Sequence, residues 1–148
     1  MCFVCGIQNP VGLHLSIYND PDNHCIYSIV EVPEHFQGYP GVVHGGIVAT
    51  MLDEVSGRAT LLDGDDENLM VTMKLEVKYR LPTPTKTPLK VIGRVVSATS
   101  TRAKVRGEIQ LPDGTVTAEC EGLLVRPPDD FRSEWEREKQ YWKVYPDA

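Results

Sequence analysis

Hydrophobic and polar residues alternate along most of this chain, and one change of period divides it. Leu13, Leu15 and Ile17 alternate with polar neighbours, Asn19-Asp20-Pro21-Asp22-Asn23 supplies a turn, and Ile26 to Val32 resumes the alternation, which predicts an opening hairpin. Pro33 to Val43, with Gly38, Pro40 and Gly41, reads as a loop. From Gly45 to Leu62 the apolar residues recur at helical spacing until Asp63-Gly64-Asp65-Asp66 ends the run. Val71, Met73, Leu75, Val77, Tyr79 and Leu81 then alternate strictly with Thr72, Lys74, Glu76, Lys78 and Arg80, which predicts a long strand with one buried face. Pro82-Thr83-Pro84 breaks it, strands over Leu89 to Ala98 and Ala103 to Leu111 follow, and Pro112-Asp113-Gly114 turns the chain into a last strand through Val116 to Leu124. Two strands, one long helix and four strands pack most economically as an α+β fold, an antiparallel sheet curled around the helix. Asp129 and Asp130 are placed to cap a short C-terminal helix with Phe131, Trp135 and Trp142 on one side. The expected division is a domain over 1–128 and a helical extension over 129–148 that packs on the domain or on a partner subunit.

At about 100° per residue, Val48, Met51, Leu52, Val55 and Ala59 share one helix face and form the core stripe. Asp53 falls on the opposite side, among the small residues Gly46, Ala49, Ser56 and Gly57. Glu54 belongs to a third face, one turn before Arg58, where a solvated i,i+4 ion pair is expected. Asp53 is therefore the carboxylate that stands out, as nucleophile or general base; its plain alternative is a surface aspartate, or one satisfied by neighbouring hydroxyls such as Ser56.

His44-Gly45-Gly46 opens this helix, and helix-start N–H groups lack intrahelical partners and favour developing negative charge. Such donors serve as an oxyanion hole, and His44 beside them can contact substrate or fix the loop. Gly45 and Asp53 lie eight residues, or about 12 Å of helix, apart, too far to act on one small carbonyl. The helix start and Asp53 must then come from different subunits, which predicts a symmetric homodimer with two equivalent sites at its interface.

The 148 residues are one domain's length and 41% hydrophobic. With no run of 18 apolar residues and no basic-then-apolar opening, the expectation is a soluble, cytoplasmic protein. A net charge of −6 argues against nucleic acid and anionic membranes as partners. Against that balance, Lys74 to Arg106 carries nine basic residues and the single acid Glu76. Either a phosphate-bearing ligand or the solvated faces of adjacent strands explains such a run. Cys2 and Cys5 form a lone C-x-x-C inside turn chemistry and read as ordinary thiols. Zinc completed by His14, His24 or Cys25 is the lesser reading, and no metal is expected.

These residues resemble a known family, the hotdog-fold acyl-CoA thioesterases of the 4-hydroxybenzoyl-CoA thioesterase superfamily, phenylacetate-pathway type. The resemblance lies in Phe36-x-x-Tyr39-x-Gly41-x-x-His44-Gly45-Gly46 with Leu52-Asp53-Glu54, in Cys2-Phe3-x-Cys5-Gly6 with Asn9-Pro10-x-Gly12-Leu13, and in Tyr79-x-x-Pro82-x-Pro84 with Pro88-Leu89. It implies a curled sheet around a helix, dimers or dimers of dimers with interfacial sites, and no cofactor. It further implies Asp53 as nucleophile or general base, Gly45 and Gly46 N–H groups polarising the thioester carbonyl, and His44 positioning substrate. Thr72 matches a serine or threonine that assists the carboxylate; strict alternation puts it on the polar face with Lys74, so it needs a bulge or a dimer contact. Coenzyme A would give the basic segment a purpose, with Lys74, Arg102, Lys104 and Arg106 as candidate phosphate contacts. The expected activity is hydrolysis of an acyl-CoA to free acid and CoA. The rivals are a non-catalytic acyl-CoA binding protein, a small zinc or redox protein built on Cys2 and Cys5, and a hotdog dehydratase or hydratase.

Overall fold

Six strands form one antiparallel sheet in the order β1-β2-β4-β5-β6-β3: β1 (Tyr18–Asp20), β2 (Cys25–Glu31), β3 (Val71–Tyr79), β4 (Pro88–Ala98), β5 (Arg102–Gln110) and β6 (Val116–Val125). The computed structural model describes residues 1–64 and 67–142. Asp65 and Asp66 of the expected helix stop, and 143–148 of the expected extension, lie outside the described residues. The helix α1 (Gly45–Arg58) touches β2, β3, β4, β5 and β6, so the sheet curls around it as the apolar pattern requires. Val48, Met51, Leu52 and Val55 are at most 1% exposed and pack with Leu89, Val91, Ile109 and Ala118. Each such side chain contributes about 1.5–3 kcal/mol on burial. The helix rides closest to the sheet at Gly93 of β4, where a Cβ would lie 2.4 Å from the Val55 carbonyl oxygen; a side chain there would lift α1 off its seat. No helix of the described residues is long and apolar enough to cross a membrane.

Four local expectations are corrected. Leu13 and Leu15 are buried, but their N–H groups bond to the Phe3 and Val4 carbonyls, so this stretch pairs with the chain's first residues and only Tyr18–Asp20 joins the sheet. The helix ends at Arg58 and tightens into a 3₁₀ turn over Ala59–Leu61. In β3 the register shifts between Thr72, opposite Leu124, and Lys74, opposite Leu123; Met73 is the extra residue of a bulge and is 65% exposed. Finally, Pro128 rather than an aspartate precedes the terminal helix α2 (Asp129–Glu138), and Asp129 and Asp130 occupy its first turn, where the helix dipole favours them. Trp135 and Trp142 meet edge to face at 4.5 Å, and Arg132 and Lys139 reach Glu67 at 3.7 and 2.6 Å.

Candidate active site

The loop before α1 sets the geometry of the helix start. Phe36 O accepts from the His44 N–H at 2.9 Å, Thr83 O accepts from the Val43 N–H at 2.8 Å, and Gly41 makes the intervening turn at φ +76°. His44 thereby becomes the N-cap, with φ −55° and ψ 135°. Its Nδ1 accepts the Gly46 N–H at 2.9 Å, which puts the proton of a neutral ring on Nε2. Gly46 is therefore already engaged, while the Gly45 N–H has no partner among the described residues. Among the described residues, the free donors at the helix start are the Gly45 N–H and the Nε2–H of His44, an exposed residue. Tyr79 Oη donates to the Gly45 carbonyl at 2.6 Å and ties the helix start to the end of β3. Alternation marks Tyr79 only as an inward position of its strand, and the hydroxyl's task shows only when the helix is laid across it.

At the other end of β3, Thr72 Oγ1 donates to Asp53 Oδ1 at 2.7 Å. The bulge at Met73 is what turns Thr72 off the polar face toward the helix. Asp53 is half-buried, and its Oδ2 is left free of protein partners among the described residues. Ser56, the hydroxyl the plain alternative offered, is buried and bonds to the Asp53 backbone carbonyl, and the hydroxyl on the carboxylate is that of Thr72. The two halves of the site thus lie at opposite ends of one strand: Tyr79 holds the helix start and Thr72 holds the carboxylate. Within the chain they are separated by about 12 Å along α1. β3 is also the last strand of the sheet, so its outer edge carries unpaired backbone groups, with Met73 and Tyr79 exposed along it.

Much of the basic run already has partners in the fold. Arg80 pairs with Glu119 at 2.7 Å, Arg106 with Glu121 at 3.1 Å and Lys86 with Glu34 at 2.5 Å, and Lys90 lies over the Tyr27 ring. The Arg80 hydrogen bond holds the Glu119 carboxyl below the usual carboxylate range. Lys74 and Lys104 flank Leu123 in one cross-strand row, with Arg102 opposite Val125, and none of these three is in an ion pair among the described residues. The neighbouring row, Thr72–Leu124–Ala103, belongs to the Asp53 side, so this cationic corner sits behind the carboxylate end of β3.

Glu54 is not the solvated carboxylate its spacing predicts. It accepts from Arg58 Nε at 2.9 Å and lies 3.4 Å from Cys5 Sγ, with both members of the ion pair mostly covered. Burial, and then the Glu54 charge, push the Cys5 thiol up to about 12. His14 bonds instead to the Asn9 carbonyl and Cys25 is buried in β2, so neither joins the cysteine pair, and His24 belongs to the β1–β2 turn.

Residues 40–118 match the family model described as the thioesterase superfamily. Among curated proteins, the chain is 23% identical over 125 residues to the mouse (Mus musculus) acyl-coenzyme A thioesterase THEM4, covering 84% of this chain and 53% of that protein. It is 27% identical over 82 residues to rat (Rattus norvegicus) THEM4, covering 55% of this chain and 34% of the relative. The chain thus spans about a third to a half of the length of these relatives. Among solved structures, the thioesterase superfamily protein RHA08564 is 32% identical with a TM-score of 0.75, over 82% of this chain and 61% of that one. The protein smu.793 of Streptococcus mutans, solved bound to acetyl CoA, has the same fold, with a TM-score of 0.67 at 19% identity over 80% of this chain and 93% of that one.

Proposed function

The chain belongs to the thioesterase superfamily, and from that premise we propose that it hydrolyses an acyl-CoA thioester to the free acid and CoA at sites shared between two subunits. The observation that carries the reading is the Thr72–Asp53 hydrogen bond, which fixes Oδ1 and leaves Oδ2 as the reacting oxygen. A second copy whose β3 pairs antiparallel with this one, about a two-fold axis through mid-strand, brings the partner's Tyr79 end against this chain's Thr72 end. The partner's Gly45 N–H and the partner's His44 Nε2–H then face a carbonyl within reach of Asp53. The open edge of β3 and the antiparallel placement of its two ends against α1 support this arrangement.

In the simplest course, Asp53 Oδ2 takes a proton from water as the water oxygen bonds to the thioester carbon. The carbonyl oxygen becomes an oxyanion, stabilised by the partner's Gly45 N–H. The oxyanion then collapses, the C–S bond breaks, and the sulfur leaves with the proton held by Asp53. Direct attack of Oδ2 to form an anhydride, followed by its hydrolysis, uses the same groups. Lys74, Arg102 and Lys104 are the cations available for CoA phosphates, while Arg106 already serves Glu121. The acyl coenzyme A named for the mouse relative and the acetyl CoA of the Streptococcus structure are consistent with this substrate class.

Release of free thiol from a panel of aliphatic and aromatic acyl-CoAs tests the reading: turnover with at least one is expected, and saturable binding of several without thiol release would contradict hydrolysis. Thr72→Val, which removes the hydroxyl and keeps the branched shape, is expected to lower kcat about 10- to 100-fold, the worth of one hydrogen bond to a charged group. Unchanged kcat for that variant would separate Thr72 from the reaction.

A further inference from the structure

Cys2, Cys5 and Glu54 place two thiols and a carboxylate within 4.8 Å of one another, although the cysteines begin the chain and the glutamate lies mid-helix. Cys5 Sγ is 3.4 Å from Glu54 Oε1, and Cys2 Sγ is 4.0 Å from Oε2. With Zn–S near 2.3 Å and Zn–O near 2.1 Å, two vertices of a tetrahedral zinc site are about 3.6 Å apart for S···O and about 3.8 Å for S···S. Each thiol thus lies within about half an ångström of that separation from one oxygen of Glu54, and all three groups lie within 4.8 Å of one another.

The local chain is built around the cysteine turn. The Val4 and Cys5 N–H groups both point at Cys2 Sγ, at 3.4 and 3.5 Å, which is how backbone donors stabilise a metal-bound thiolate. The Gly6 N–H closes the turn on the Cys2 carbonyl at 3.0 Å, and a Cβ at Gly6 would stand 2.5 Å from that same oxygen, so the turn requires glycine after its second cysteine. Arg58 completes the surroundings: Nε donates to Glu54 Oε1 at 2.9 Å, and a terminal nitrogen donates to Cys5 Sγ at 3.1 Å. The guanidinium carbon lies over the Trp142 ring, 4.1 Å from its centre.

We propose that Cys2, Cys5 and Glu54 form a zinc site that staples the start of the chain to α1 at the residue next to Asp53, with Arg58 as its charge-balancing neighbour. Two thiolates and a carboxylate carry three negative charges. Zinc leaves one, which the Arg58 guanidinium offsets, and no other cation is needed. Arg58 holds Oε1, which leaves Oε2 to turn toward the metal beside Cys2. On binding, the two thiol protons pass to solvent as two Zn–S bonds form, and the remaining vertex is open to water. Soft sulfur donors favour Zn²⁺ over Mg²⁺ or Ca²⁺. The site lies on a different face of α1 from the Asp53 carboxylate and is independent of the hydrolytic reading.

The full-length protein, purified under reducing conditions and equilibrated with Zn²⁺, is expected to retain about one zinc per chain after dialysis. Chelation should lower its thermal midpoint and make two thiols newly reactive. Co²⁺ in place of zinc should give a thiolate-to-metal charge-transfer band, absent in Cys2→Ser, whose exposed position keeps the fold. Both tryptophans of the chain, Trp135 and Trp142, lie on this side, so metal addition should also change intrinsic fluorescence in wild type and not in Cys2→Ser. Retention of less than a tenth of an equivalent by the reduced wild type, equal retention by Cys2→Ser, or a Cys2–Cys5 disulfide that persists with reductant would overturn the assignment.

Discussion

Asp53→Asn is expected to lower kcat for acyl-CoA hydrolysis by about 10²–10⁴-fold, the range for losing a positioned acid–base group, with little change in KM. Asparagine keeps the shape and an oxygen that can accept from Thr72 Oγ1, so the side chain stays where it is. What it loses is the ability to take a proton or attack a carbonyl. Asp53 stands outside the core cluster of Val48, Met51, Leu52 and Val55, so the thermal midpoint should hold. Thiol release measured against wild type reads the effect, and undiminished turnover would remove Asp53 from the reaction.

Gly45→Pro is expected to lower kcat by about 10²–10³-fold, because it deletes one oxyanion donor and nothing else. Proline suits the first position of a helix, where the N–H has no intrahelical partner to lose. The preceding residue is compatible too, since His44 already holds the extended ψ of 135° that a following proline demands. A Cβ at Gly45 meets Tyr79 Oη at 3.5 Å, an ordinary contact. Folding should therefore survive, as an unchanged circular dichroism spectrum and thermal midpoint would verify. Full activity in the folded variant would exclude the Gly45 N–H as the donor.

The architecture is legible because period reports burial. One helical stripe, Val48 to Ala59, needs a surface to cover it, and the alternating strands supply that surface. The same signal misplaces Leu13 and Leu15. Alternation says that a segment is extended and half-buried, and a stretch paired with the chain's own first residues looks like a sheet strand. Asp53 is legible from its helix face and from the motif around it, whereas Thr72 is legible from the resemblance alone: a one-residue bulge reverses its facing, and nothing in Val71-Thr72-Met73-Lys74 announces the extra residue. Glu54 misleads for a different reason. Four-residue spacing to Arg58 correctly gives the ion pair, but the thiols beside it arrive from 49 and 52 residues away. The basic run, similarly, is judged from sequence without the acids of β6 that lie opposite it once the sheet forms.

A site divided between subunits makes a demand that a single-chain site does not. Mixing Asp53→Asn with Gly45→Pro, each nearly inactive alone, measures it. In a hybrid dimer, one site receives the intact Asp53 of one chain and the intact Gly45 of the other, while the second site receives both lesions. With free exchange at equal concentrations, half the dimers are hybrids and each holds one good site, so about a quarter of wild-type activity should return. No recovery, with hybrid dimers demonstrated by mass or by a tag on one variant, would contradict a site shared across the interface.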